Sequence, residues 1–151
     1  MPRLVCCVDD SDGARAALTV ASRFADALAF ELLVLHVEPA TELPGVSAAV
    51  GGQERLREAE LADARGLLDE LAREAGLGAD AVLHAEIGNP SERILAACAD
   101  PSVQLVVLGS HGRRGVRAAV LGSISRDVAA RAPCPCVVVP PQAAERPFLS
   151  S

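Results

Sequence analysis

The chain of 151 residues contains no lysine, tryptophan or tyrosine, and its only aromatic residues apart from histidine are Phe24, Phe30 and Phe148. Without lysine, a Walker-type phosphate loop and Schiff-base catalysis are both excluded. The shortage of aromatic rings argues against binding of single-stranded nucleic acid, which relies on base stacking. Since half of the residues are hydrophobic, the core must be built from aliphatic side chains.

The charge balance is acidic, with 20 Asp and Glu against 14 arginines and a net charge of −6. Such a balance disfavours binding to nucleic acid or to anionic membranes. No apolar run approaches the length of a membrane span, and the run at residues 4–8 is too short for a signal peptide. We therefore expect a cytoplasmic protein with a single domain over residues 1–141 and a frayed tail over residues 142–151.

Cysteine occurs five times, an odd number without the spacing of a zinc site. The five positions are Cys6, Cys7, Cys98, Cys134 and Cys136. We expect these residues to pack in the interior as free thiols, in a reducing compartment, and to bind no metal.

Apolar runs typical of strands alternate with helical patterns along the chain. The runs lie at residues 3–8, 32–37, 81–87, 103–108 and 136–139. Ser11 and Asn89 each provide an N-cap for a following helix, and further helices are predicted over residues 53–75 and 123–132. Because the apolar runs are continuous, each strand is predicted to be buried on both faces. The sequence therefore predicts an α/β fold, a doubly wound five-stranded parallel sheet with helices on both faces.

A glycine-bearing segment follows the fourth predicted strand. Gly109 and Gly112 are followed by nine residues and then by Gly122, which precedes the last predicted helix. Gly109 and Gly112 can take positive φ angles and can let backbone N–H groups approach an anion or a sugar closely.

Two hydroxyl groups, on Ser123 and Ser125, lie in the first turn of that last helix, where the helix dipole favours negative charge. Arg113, Arg114 and Arg117 add positive charge to the intervening segment. A lone Gly-x-x-Gly would indicate only a turn. Its position between an apolar strand and a helix that begins with hydroxyls favours a phosphate-binding site made without lysine.

The spacing Gly-x-x-Gly, nine residues, Gly-Ser, after a strand ending in Val-Val-Leu, resembles the nucleotide motif of the universal stress protein family. Residues 8–11 (Val-Asp-Asp-Ser), 35–37 (Leu-His-Val) and 134–135 (Cys-Pro) match further landmarks of that family, so that the resemblance covers residues 3–140. It implies a three-layer sandwich with strand order 3-2-1-4-5, binding of ATP with or without Mg²⁺, and a homodimer through the last strand (Cys136–Val139).

By position, the resemblance also implies which residues contact the nucleotide. Asp9 and the Val37 backbone would contact the adenine, the glycines the ribose and phosphate, and the start of the last helix the outer phosphates. The ten implied residues are Asp9, Ser11, Val37, Gly109, Gly112, Arg113, Gly122, Ser123, Ile124 and Ser125. Asp10 departs from the family pattern, and its carboxylate would repel phosphates unless Mg²⁺ or an arginine neutralised it.

Three functions remain open on the sequence. The first is an ATP-binding regulatory stress protein with at most slow ATP hydrolysis, because no catalytic base or activated nucleophile is recognisable. The second is an adenine-nucleotide hydrolase or transferase of the same layout. The third is a nucleotide-free dimeric interaction module. A phospho-receiver domain is excluded, because it needs a lysine after the fifth strand and an aspartate after the third.

Overall fold

The computed structural model of the chain describes residues 1–41, 51–111 and 121–146. The strands are β1 (Arg3–Cys7), β2 (Glu31–Glu38), β3 (Val82–Ile87), β4 (Val103–Gly109) and β5 (Cys136–Val139). The helices are α1 (Asp12–Leu28), α2 (Gly52–Glu74), α3 (Pro90–Cys98) and α4 (Ser123–Arg131), and a 3-10 helix spans Pro141–Glu145. In the described ranges, none of these helices combines the length and apolar character needed to cross a bilayer.

The strands form one parallel sheet in the order β3-β2-β1-β4-β5, which confirms the predicted fold and strand order. Central strand β1 pairs with β2 on one side and β4 on the other, so that Cys7 lies between Leu35 and Leu108. The chain leaves β1 and β4 towards opposite edges of the sheet. The carboxyl ends of these two strands therefore bound the crevice in which doubly wound sheets bind ligands.

Two aliphatic clusters fill the interior, one on each face of the sheet. The first lies under α1 and α2 and includes Leu4, Cys6, Leu18, Leu68 and Leu71. The second lies under α3 and α4 and includes Val5, Cys7, Ile94, Cys98 and Val128. Successive residues of a strand point to opposite faces, so the adjacent Cys6 and Cys7 pack in different clusters. All five cysteines are free thiols. Cys6, Cys7 and Cys98 are buried as predicted, whereas Cys134 and Cys136 are partly exposed.

The chain after β5 differs from the prediction of a frayed tail. Residues 141–145 form the 3-10 helix, and Ala143 and Ala144 pack against the cluster that contains α1. Arg23 of α1 donates a hydrogen bond from Nη1 to the Arg146 carbonyl at 3.1 Å. The prediction is wrong for residues 142–146, because two alanines find an apolar surface on α1 that the local sequence does not reveal. Residues 147–151 lie outside the described part of the chain.

Candidate functional site

The polar ends of β1 and β4 lie side by side, as their pairing in the sheet requires. Asp9, Asp10 and Ser11 follow β1, and Ser110 and His111 follow β4. The N-terminus of α4 adjoins the same crevice, since the Gly122 N–H donates to the Ser110 carbonyl at 2.7 Å. The structure thus brings together the two groups of residues that the sequence placed at one site.

Ser11 organises the turn after β1. Its hydroxyl oxygen accepts a hydrogen bond from the Ala14 N–H at 3.1 Å and so caps α1. The same hydroxyl donates to Oδ1 of Asp9. The Asp9 carboxylate, which is partly exposed, is therefore held in one orientation at the mouth of the crevice.

Asp10 forms an ion pair with Arg15, whose Nη2 lies 3.1 Å from Oδ1 of the carboxylate. The Arg15 Nε also bonds to Oε2 of Glu74, the last residue of α2, at 3.0 Å. The hydrogen bond to Glu74, followed by that to Asp10, raises the pKa of the Arg15 guanidinium. Arg15 therefore neutralises the Asp10 carboxylate, a role that the sequence left open to Mg²⁺ or an arginine.

Gly109 allows the end of β4 to approach the start of α1. A Cβ at this position would lie 2.9 Å from the carbonyl carbon and oxygen of Gly13, and one on Gly13 would lie 2.8 Å from the His111 carbonyl oxygen. Gly109 does not use the positive φ that its sequence position allows, since its backbone lies outside the left-handed region. Glycine is required here for close packing.

The N-terminus of α4 has no side-chain cap. Gly122 occupies the N-cap position, and the first intrahelical bond runs from the Arg126 N–H to its carbonyl at 3.0 Å. The N–H groups before that bond belong to Ser123, Ile124 and Ser125, and they have no hydrogen-bond partner among the described residues. Side chains of Ser11 and Asn89 cap α1 and α3. This turn can therefore bind an anion from outside the protein.

The sequence indicated that the Ser125 hydroxyl would bind a phosphate, but in the structure it bonds to the backbone of the protein itself. The side chain is buried, and Oγ lies 3.1 Å from both the Gly109 and the Ser110 carbonyl oxygens, to which it donates. This hydroxyl fixes the end of β4 to the first turn of α4. Ser123 and Ile124, by contrast, are exposed and remain open to a ligand.

Val37 presents its backbone beyond the end of β1. The Leu35 carbonyl accepts a bond from the Val8 N–H at 2.9 Å, so it points towards β1. In a parallel strand, the N–H and C=O of every second residue point to the same neighbouring strand. The N–H and C=O of Val37 therefore point towards β1, as those of Leu35 do. Because β1 pairs with β2 only as far as Cys7 opposite Leu35, the Val37 groups lie past the last pair.

Two predicted site residues, Gly112 and Arg113, lie outside the described residues, as do Arg114 and Arg117. In the described ranges no group of three or more His, Cys, Asp or Glu side chains is placed to hold a metal ion.

Sequence reasoning missed Gly13 and Arg15. A glycine in the first turn of a helix was the available signal for close packing at Gly13. No local signal pairs Arg15 with Glu74, since the two are brought together only by the packing of α1 beside α2.

Residues 1–140 match the sequence profile of the universal stress protein family. A universal stress protein from Thermus aquaticus is 37% identical over 136 residues, which cover 87% of this chain and 93% of the relative. UspA from Lactobacillus plantarum has a similar structure, with a TM-score of 0.74 and 27% identity over 91% of this chain and 97% of that one. A universal stress protein from Archaeoglobus fulgidus, solved in complex with dAMP, shares the fold with a TM-score of 0.59 and 22% identity over 92% and 97% of the two chains.

Proposed function

The chain belongs to the universal stress protein family, and from this premise we propose that it binds ATP in the crevice at the carboxyl ends of β1 and β4. We further propose that it acts in the cytoplasm as a regulatory protein of the stress response, with nucleotide occupancy as its signal.

The observation that carries this proposal is the uncapped first turn of α4. Its free N–H groups and the positive end of the helix dipole, equivalent to about half an elementary charge, favour a phosphate. The exposed Ser123 hydroxyl adds a donor at the same place. In the proposed complex the outer phosphates of ATP bind here, with or without Mg²⁺.

The adenosine lies on the other side of the crevice in this proposal. The Val37 backbone offers one donor and one acceptor to the adenine, and Asp9, oriented by Ser11, offers acceptors to the nucleoside. The dAMP complex of a protein with the same fold supports an adenine nucleotide as the ligand class.

The chemical groups at this site favour binding over turnover. Backbone N–H groups and a hydroxyl stabilise phosphate in the ground state, and the Ser125 hydroxyl is engaged by two carbonyl groups. We therefore propose that ATP hydrolysis is slow and that the nucleotide acts by stabilising one conformation, which partner proteins recognise.

We also propose a homodimer formed through β5. This strand lies at the edge of the sheet, and Cys136, Val137 and Val138 remain partly exposed. An apolar edge strand offers its backbone groups to another chain, and pairing of two copies would satisfy both. Light scattering of the purified protein at several concentrations tests this part of the proposal, and a monomer at every concentration contradicts it.

Isothermal titration calorimetry with ATP, with and without Mg²⁺, tests the nucleotide site on the wild type and two variants. Ser123→Pro removes the hydroxyl and one N–H at the first helical position, where proline is tolerated and where Gly122 already has the extended backbone that precedes proline (φ −60°, ψ 158°). Ser123→Ala removes the hydroxyl alone and serves as the matched control.

We expect ATP affinity to fall about a hundredfold or more in Ser123→Pro and about tenfold or more in Ser123→Ala, with unchanged thermal midpoints. Each lost hydrogen bond to a charged group is worth about 1.5–3 kcal/mol, and about 1.4 kcal/mol corresponds to a tenfold change in affinity. Equal affinity in Ser123→Pro and wild type contradicts the phosphate assignment. Fast metal-dependent phosphate release would indicate a hydrolase, and no binding by the wild type would indicate an interaction module.

A further inference from the structure

His36 is a buried histidine that joins the ends of two strands beside the candidate site. The residue is only 1% exposed, and Nδ1 lies 2.7 Å from the Val8 carbonyl oxygen while Nε2 lies 2.9 Å from Oε2 of Glu38. A carbonyl oxygen only accepts hydrogen bonds, so Nδ1 carries a proton and donates it to Val8. The ring therefore crosslinks the end of β1 to the end of β2.

This crosslink takes the place of a backbone hydrogen bond. The last bond of the β1–β2 ladder runs from the Val8 N–H to the Leu35 carbonyl at 2.9 Å. The next bond of a parallel ladder would run from the Val37 N–H to the Val8 carbonyl. That oxygen instead accepts from the His36 ring, and strand pairing ends at Cys7 opposite Leu35.

We propose that His36 is a positioning residue for recognition of the adenine base, an inference that rests on the proposed nucleotide site. By satisfying the Val8 carbonyl, the ring ends the ladder one step early and leaves the Val37 N–H and C=O for the ligand. A backbone donor and acceptor side by side match N1 and the N6 amino group of adenine. The ring also fixes the peptide between Val8 and Asp9, which carries the acid at the mouth of the crevice.

A second copy of the same local motif provides a matched control. Residues 35–38 read Leu-His-Val-Glu, and residues 83–86 read Leu-His-Ala-Glu. In the second copy the His84 Nε2 also lies 2.9 Å from a carboxylate oxygen, that of Glu86, but the His84 side chain is 54% exposed on edge strand β3. Both histidines pair with a glutamate two residues later. His36 differs from His84 in being buried and in bonding to the end of β1.

The test compares His36→Phe, His36→Asn and His84→Phe with the wild type by calorimetry against ATP, GTP and tripolyphosphate. Phenylalanine keeps a ring but cannot donate to Val8. The asparagine amide places a donor near the position of Nδ1, and it is expected to rescue binding if that donor is what matters.

We expect His36→Phe to lose about tenfold in ATP affinity and most of its preference for ATP over GTP, while tripolyphosphate affinity stays within about twofold, because only the base contacts change. His36→Asn should retain most of the preference, and His84→Phe should match the wild type. Hydrogen exchange of the Val37 N–H gives a readout without ligand, and it should slow in His36→Phe as the ladder extends.

The outcomes separate the two proposals. A wild type that binds none of the three ligands overturns the proposed nucleotide site and this inference together. A wild type that binds ATP, with a His36→Phe variant of unchanged affinity and base preference, overturns the role of His36 alone. Equal losses for ATP, GTP and tripolyphosphate in His36→Phe would show a purely structural role and would also overturn it.

Discussion

Gly109 at the end of β4 and Gly13 in the first turn of α1 lie in backbone contact, with no room for a side chain between them. A Cβ on Gly109 would meet backbone atoms at 2.9 Å, and backbone cannot move aside as the end of a flexible side chain can. Because neither Gly109 nor Gly13 has a side chain, β4 and α1 can approach this closely beside the crevice.

The first prediction concerns this contact. Gly109→Ala is expected to destabilise the fold by about 1–3 kcal/mol, because the added methyl forces β4 and α1 apart. Gly66→Ala is the matched control: nothing lies within 4 Å of its Cβ position inside α2, and alanine there should stabilise by about 0.5–1 kcal/mol. Urea unfolding of both variants measures the two free energies of unfolding. Wild-type stability in Gly109→Ala would contradict the close approach.

The second prediction concerns the charge of Asp10. Arg15→Gln is expected to weaken ATP binding about threefold at low ionic strength, because the Asp10 carboxylate then repels the phosphates without a compensating cation. The double variant Asp10→Asn, Arg15→Gln should recover wild-type affinity. Calorimetry at low and high salt measures both effects, and the loss should shrink as salt increases. A double variant as weak as the single one would show that Arg15 acts by another route.

The third prediction concerns thiol reactivity. Burial raises the pKa of the Cys98 thiol to about 12 and raises the pKa values of Cys6 and Cys7 as well. Iodoacetamide at pH 8 should therefore leave these three unmodified in the native protein. Cys134 is partly exposed and should react first, ahead of Cys136, whose pKa burial also raises. Peptide mass spectrometry over time, with a urea-unfolded sample as control, measures the order. Labelling of Cys98 as fast as Cys134 would contradict the packing.

The fourth prediction concerns the pH dependence of stability at Asp100. Hydrogen bonds from the Ser102 N–H and hydroxyl, at 2.9 and 2.8 Å, lower the pKa of this exposed carboxyl, with a smaller contribution from Arg3. A lowered pKa in the folded state stabilises the protein above about pH 4, and that stabilisation is lost as the pH falls through the folded value. Ser102→Ala should lower the thermal midpoint at pH 7 and have little effect near pH 2. An equal loss at both pH values would assign the effect to something other than the carboxylate charge.

The sequence predicted the sheet well because its signals are local. A continuous apolar run such as the one from Val103 to Leu108 indicates a buried strand without reference to any other part of the chain. N-caps at Ser11 and Asn89 likewise depend on the residue and its next three neighbours, and both are present in the structure.

The features that the sequence did not predict depend on residues far apart in the chain. Arg15 reaches Glu74 only because α1 and α2 pack on the same face of the sheet. The Ser125 hydroxyl bonds to two carbonyls at the end of β4. A serine in the first turn of a helix does not indicate, from its local sequence, which group its hydroxyl will contact. The 3-10 helix after β5 is also stabilised by residues distant in sequence, because its alanines pack against the cluster that contains α1.

In the proposed complex, the missing cap on α4 couples the stability of the fold to the concentration of its ligand. An anion held by that turn completes the helix as an internal residue does elsewhere, so occupancy and resistance to unfolding rise together. At a ligand concentration one hundred times the dissociation constant, this coupling adds about 2.7 kcal/mol to the free energy of unfolding. If the proposed site binds ATP, the folded fraction of the chain would fall as the nucleotide concentration falls, and degradation of the unfolded chain would follow.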